Sequence, residues 1–183
     1  MTLDLSILEW IQRVFSSPIM NTVMVSVTKL GDNGFIWIVM VLLFLTTRKT
    51  RILAVGLALV LLVELGLVEG FIKLIVQRPR PFTEVDIHLL IPAPNSTSFP
   101  SGHTASSFAA AGYLLFLKRK EAPLALFLAV IIAFSRLYLF VHYPTDVLGG
   151  GVLGLLLGYL GSLLYTRILY PKLISVKWFS ETV

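Results

Sequence analysis

The chain has 183 residues, 56% of them hydrophobic and only 14% charged, against about 45–50% and about 25% in ordinary soluble domains. The apolar residues fall in long blocks, which excludes a soluble globular class and predicts one membrane-embedded domain over 1–183. The net charge of +5 comes from short basic clusters between those blocks, so no nucleic-acid partner is expected, and the absence of cysteine excludes disulfides and thiolate metal sites.

The opening MTLDLSILEW carries Asp4 and Glu9 where a cleaved signal would be basic. No signal peptide is expected, and targeting falls to the spans themselves. Residues 5–14 place apolar side chains at helical spacing and read as an interfacial helix or the start of a span. Two short apolar stretches follow, 19–30 and 35–45, parted by the turn-like Gly31-Asp32-Asn33-Gly34. Residues 52–76, 122–140 and 147–168 each reach the ~17–25 residues a crossing needs. Residues 103–117 are shorter, but a helix start and a basic stop bound them. The expectation is an all-α integral membrane helical bundle of six transmembrane helices. With six, Arg48, Lys49 and Arg51, then Lys118, Arg119 and Lys120, then Arg167, Lys172 and Lys177 share one side, which the positive-inside rule makes cytoplasmic. Both termini are then cytoplasmic, and the loops near 31–34, 77–102 and 141–146 face outward.

Those outward segments are rich in cations too. Lys73 lies near the outer end of its span, Arg78-Pro79-Arg80-Pro81 follows, and Arg136 sits late in a span. A cation at membrane depth costs about 2.5–3.5 kcal/mol on insertion scales, so such residues are rare without a task. Lys73, Arg80 and Arg136 converge on one boundary, where mutual repulsion calls for an anion. Phosphate fits, since arginine binds its oxygens bidentately and lysine adds a point charge. Snorkelling to lipid headgroups is the bland alternative, and for Arg78 the two readings are balanced.

Next comes Pro100-Ser101-Gly102-His103 at the start of a span. Ser101 is a good N-cap, the helix N-terminus offers unpaired N–H groups to an anion, and Gly102 permits close backbone approach. His103 then stands in the first turn. Farther on, Pro144 fits the first position of the last long helix and puts Asp146 in its first turn. There Asp146 complements the helix dipole, or else it accepts the N–H of His142 and fixes its tautomer for attack on phosphorus.

Lys73-(six residues)-Arg80-Pro81, Pro100-Ser101-Gly102-His103 and Ser135-Arg136-(five residues)-His142-(three residues)-Asp146 together resemble the tripartite signature of the type 2 phosphatidic acid phosphatases, a superfamily that includes the vanadium haloperoxidases. The motif core runs over 73–146. The resemblance implies His142 as nucleophile forming a phosphohistidine, Asp146 as its orienting partner and His103 as general acid. It also implies that Lys73, Arg80, Ser101, Gly102 and Arg136 hold the phosphate, with no metal or other cofactor. The implied activity is hydrolysis of a lipid phosphate or diphosphate on the outer face of the plasma membrane. Undecaprenyl diphosphate is the first substrate expected, with phosphatidylglycerophosphate and lipid A as rivals. Membrane lipids are the expected partners, and no obligate protein partner is evident.

Three other readings compete. Haloperoxidases are generally soluble, which the spans oppose. An anion or lipid transporter would line a path with its cations instead of clustering them. A metal held by His103, His142 and Asp146 would face repulsion from the surrounding cations. Glu69, one turn before Lys73, either pairs with it or, with Glu64, faces another helix. The formal glycosylation sequon Asn95-Ser96-Thr97 reads as chance.

Overall fold

A computed structural model describes residues 3–176 and 178–179; the expectation for Lys177 falls outside them. The described residues are helical, with no strand among them. In chain order the helices are α1 Leu3–Phe15, α2 Pro18–Gly31, α3 Phe35–Leu45, α4 Arg48–Leu67, α5 Lys73–Val76, α6 Gly102–Phe116, α7 Ala122–Tyr138, α8 Pro144–Leu164 and α9 Tyr170–Leu173. A π-helical turn, Val68–Ile72, carries α4 into α5 without a break, and a second, Tyr165–Leu169, joins α8 to α9.

By length and composition three stretches can cross a membrane: Pro18–Leu45, Arg48–Thr83 and Pro144–Leu173. The first divides in its middle, because Asn33 and Gly34 have φ of 50° and 69°, outside the helical region. Large apolar side chains such as Leu62, Phe127, Val130, Val152 and Leu156 stand exposed along the helices. In water that surface would be a liability, whereas in hydrocarbon it is the expected exterior.

The N-terminal third packs against the end of the bundle that holds residues 138–143. Helices α1 and α2 contain 13 and 14 residues, about 20 Å each at 1.5 Å per residue, against a hydrocarbon core of roughly 30 Å. Both stay at one end of the bundle. Asp4 accepts from Arg78 and Thr145, Gln12 donates to the Tyr138 carbonyl, and Phe15 meets Phe134 edge-on. Along α2, Asn21 accepts from Tyr138, Thr28 from Arg136, and Gly31 lies against the His103 ring. The reason is a better apolar partner than lipid: Leu5 and Leu8 bury against Phe140 and Tyr143, and Ile11 and Met24 against Tyr138, Leu139 and Val141. Asp4 and Trp178 lie at opposite ends, since Trp178 accepts from Arg51 at the basic end.

Helices α6 and α8 form the tightest seam. An added Cβ at Gly154 would lie 2.3 Å from the Ala105 carbonyl, at Gly158 2.6 Å from the Tyr113 amide, and at Gly150 2.6 Å from the Ser101 carbonyl. Small residues at four-residue spacing let two helix backbones touch. That contact fixes the start of α6, with His103, beside the start of α8, with Asp146.

Candidate active site

Six of the residues singled out in the sequence line one cavity of about 570 Å³: Lys73, Arg80, Gly102, His103, Arg136 and His142. Four elements bring them together. The junction of the π turn with α5 supplies Lys73, the loop after α5 supplies Arg80, the first turn of α6 supplies Gly102 and His103, and the end of α7 and the loop beyond it supply Arg136 and His142.

His142 is 2% exposed. Its Nε2 lies 3.2 Å from Arg80 Nη1, and its Nδ1 lies 3.6 Å from Asp146 Oδ2. Arginine only donates, so Nε2 carries the lone pair and the ring proton sits on Nδ1, toward Asp146. Burial pushes the His142 imidazole down to about 3, against the opposing pull of Asp146. At neutral pH the ring is uncharged, with Nε2 unprotonated, as nucleophilic attack requires. Asp146 is fixed in turn by Ser98 Oγ at 2.5 Å, the Tyr143 amide at 2.8 Å and Arg78 Nη1 at 2.6 Å. Pro144 occupies the start of α8 and Asp146 closes a capping box on Tyr143, which explains the carboxylate's position in the first turn.

The cations are held separately. Arg80 is 4% exposed and donates to Ser96 O and Oγ, Thr97 O and Val141 O. Lys73 Nζ donates to Glu69 at 2.6 Å and Ser96 at 3.2 Å. Arg136 gives Nη1 to Thr28, while its buried Nε has no partner among the described residues, a donor left for a ligand. His103 Nε2 lies 2.9 Å from Asp32 Oδ1, on the turn after α2.

Several expectations need adjusting. Ser101 stands at the N-cap of α6 but its side chain makes no capping bond; its hydroxyl is buried and accepts from Thr104, and it does not line the cavity. Arg78 is neither a snorkelling cation nor a phosphate ligand, since it bridges Asp4 and Asp146 and lies 4.0 Å over the Tyr143 ring. Glu69 does pair with Lys73, whereas Glu64 is a buried carboxyl in the cavity wall. His88 is exposed. Sequence reasoning missed Ser96, Ser98, Asp32 and Thr28, polar residues in a loop or beside a turn with nothing local to single them out.

Below the charged end the cavity continues into an apolar trough between α3 and α4, lined by Ile38, Val41, Ala58, Leu61, Leu62 and Leu65. Leu62 and Leu65 are 63% and 55% exposed, so the trough opens sideways onto the apolar exterior. A family model for the PAP2 superfamily matches residues 49–170, which hold every residue of this cluster outside the N-terminal helices. The chain belongs to the PAP2 superfamily.

The chain is 41% identical over 97 residues to the undecaprenyl-diphosphatase BcrC of Bacillus subtilis, covering 52% of this chain and 50% of that protein. It is 35% identical over 138 residues to an undecaprenyl-diphosphatase of Sulfolobus acidocaldarius, covering 74% and 66%. The matches thus span half to just under two thirds of these relatives. The crystal structure of a transmembrane PAP2-type phosphatidylglycerolphosphate phosphatase from Bacillus subtilis superposes with a TM-score of 0.75 at 29% identity, over 90% of this chain and 85% of that one. This PAP2 chain is a membrane protein.

Proposed function

We propose that the chain is a lipid phosphatase that hydrolyses undecaprenyl diphosphate through a phosphohistidine on His142. One observation carries the reading: a single cavity joins three cations and two histidines to an apolar trough open to the membrane-facing side. A polar phosphate and a long apolar tail fit its two ends. Relatives named undecaprenyl-diphosphatase support the substrate.

Lys73, Arg80 and Arg136 neutralise the phosphate oxygens, with the Gly102 N–H at the start of α6. Nε2 of His142 attacks phosphorus while Asp146 steadies the Nδ1–H side. His103, fixed by Asp32, gives its proton to the departing oxygen. Water then hydrolyses the phosphohistidine. Phosphoryl transfer depends mainly on positioning and charge stabilisation, which fixed cations supply. No metal takes part in this scheme. The same chemistry serves phosphatidylglycerophosphate, the second reading, which the superposed phosphatase favours. A transport role fits less well, because the cations cluster at one end of the cavity. The site end faces the extracytoplasmic side of the plasma membrane, with Arg48, Lys49 and Arg119 gathered at the other end.

The test is phosphate release in detergent from undecaprenyl diphosphate, phosphatidylglycerophosphate and phosphatidic acid, with EDTA, for wild type and His142→Ala. Release that survives EDTA, is fastest on the diphosphate and vanishes in the variant is expected. Wild-type activity in the variant would refute the nucleophile assignment, and a different ranking would replace the substrate.

A further inference from the structure

We infer that Glu69 is an internal counter-ion that competes with the substrate phosphate for Lys73. The inference rests on the phosphate-site reading above. Two independent contacts place the carboxylate. Its Oε1 lies 2.6 Å from Lys73 Nζ, and the same oxygen stands 2.8 Å from where a Cβ on Gly102 would be. Glu69 therefore lies over the first residue of α6, where the helix turns unpaired N–H groups and a partial positive charge toward an anion. It also lines the cavity shared by Lys73, Arg80, His103, Arg136 and His142. A carboxylate there holds the lysine that a phosphate would take.

The local backbone suits an exchangeable group. Glu69 sits in the π-helical turn Val68–Ile72, and its side chain is 41% exposed, against 7% for Lys73. Lys73 has a second anchor in Ser96 Oγ, so it stays in place when the carboxylate leaves. Phosphate and carboxylate repel, and a half-exposed ion pair is weak. A phosphate that also meets Arg80 and Arg136 wins the exchange. Glu69 then swings toward the exposed side while Lys73 passes to the substrate. The alternative, a fixed strut that holds Lys73 throughout turnover, predicts effects of the opposite sign.

The probe is orthovanadate, a phosphate mimic, tested as a competitive inhibitor of the detergent-purified full chain. Glu69→Gln and Glu69→Ala should each lower its inhibition constant about threefold to fivefold, the size of one partly exposed ion pair. KM for the lipid should fall in parallel, with kcat within about twofold. A second measurement needs no variant: carbodiimide labelling of Glu69 in the wild type, read by peptide mass spectrometry, should rise on adding orthovanadate. Raised or unchanged inhibition constants in both variants, or Glu69 labelling that vanadate leaves constant or lowers, would overturn the inference and leave the strut. If orthovanadate fails to inhibit the wild type at all, the phosphate-site reading itself falls, and this inference with it.

Discussion

The two sides of the cavity are built in opposite ways. On one side α6 and α8 meet backbone to backbone, so close that three glycines of α8 leave no room for a methyl group. On the other, α3 and α4 enclose a trough of branched aliphatic residues, with helical geometry broken at Asn33–Gly34 on α3's flank and loosened by the π turn after α4. The close seam fixes His103 and the support of His142. The trough offers adaptable apolar volume and an opening onto the exterior. On the proposed function, chemistry that depends on fractions of an ångström would lie against the rigid seam, and a long flexible tail would lie against the loose side.

Asp146→Asn tests the rigid side most severely. It should lower kcat about 10³-fold, or about 4 kcal/mol, with a much smaller change in KM, as steady-state kinetics will show. Comparable loss in both constants would mean that Asp146 acts through substrate binding. Gly154→Ala attacks the seam itself, because its Cβ would fall 2.3 Å from a backbone oxygen. A loss of about 2–3 kcal/mol is expected, seen as a lower melting temperature in detergent, with activity falling alongside. Unchanged stability would show that the seam yields easily. On the loose side, Leu61→Trp should fill the trough and raise KM about tenfold for a long-tailed lipid, while leaving a short-chain soluble phosphate within about twofold. Equal effects on both would remove the trough from tail recognition. The mildest probe is pH. His142 is held neutral down to about 3 by burial, so protonation switches it off only as pH falls toward that value. The acid limb of kcat/KM should lie below pH 5, after allowing for the substrate's own ionisation near pH 6. A limb near 6.5 would put the nucleophile in a solvated setting.

The same contrast governs what the sequence revealed. Lys73, Arg80, Arg136, His103 and His142 were legible because a charged or titratable residue at a membrane boundary is conspicuous against apolar blocks. Asp146 was legible through Pro144 and the helix start. The long helices followed from their lengths. The packing of α1 and α2 was not legible, because their contacts with Phe140, Tyr143 and Val141 are long-range and no local pattern encodes them. Ser101 carries a good capping residue type, yet Thr104 and the seam claim its hydroxyl. Ser96 and Ser98 look like ordinary loop serines, and only the folded loop brings them to Arg80 and Asp146.

The central claim is that the phosphoryl group passes through His142. The most direct measurement is to mix the wild-type enzyme with lipid diphosphate, quench in alkali, which preserves phosphohistidine, and map the modified peptide by mass spectrometry. The account predicts phosphate on the peptide containing His142, absent from the His142→Ala variant. Phosphate on His103 or on any other residue, or turnover with no modified peptide at any quench time, would contradict it.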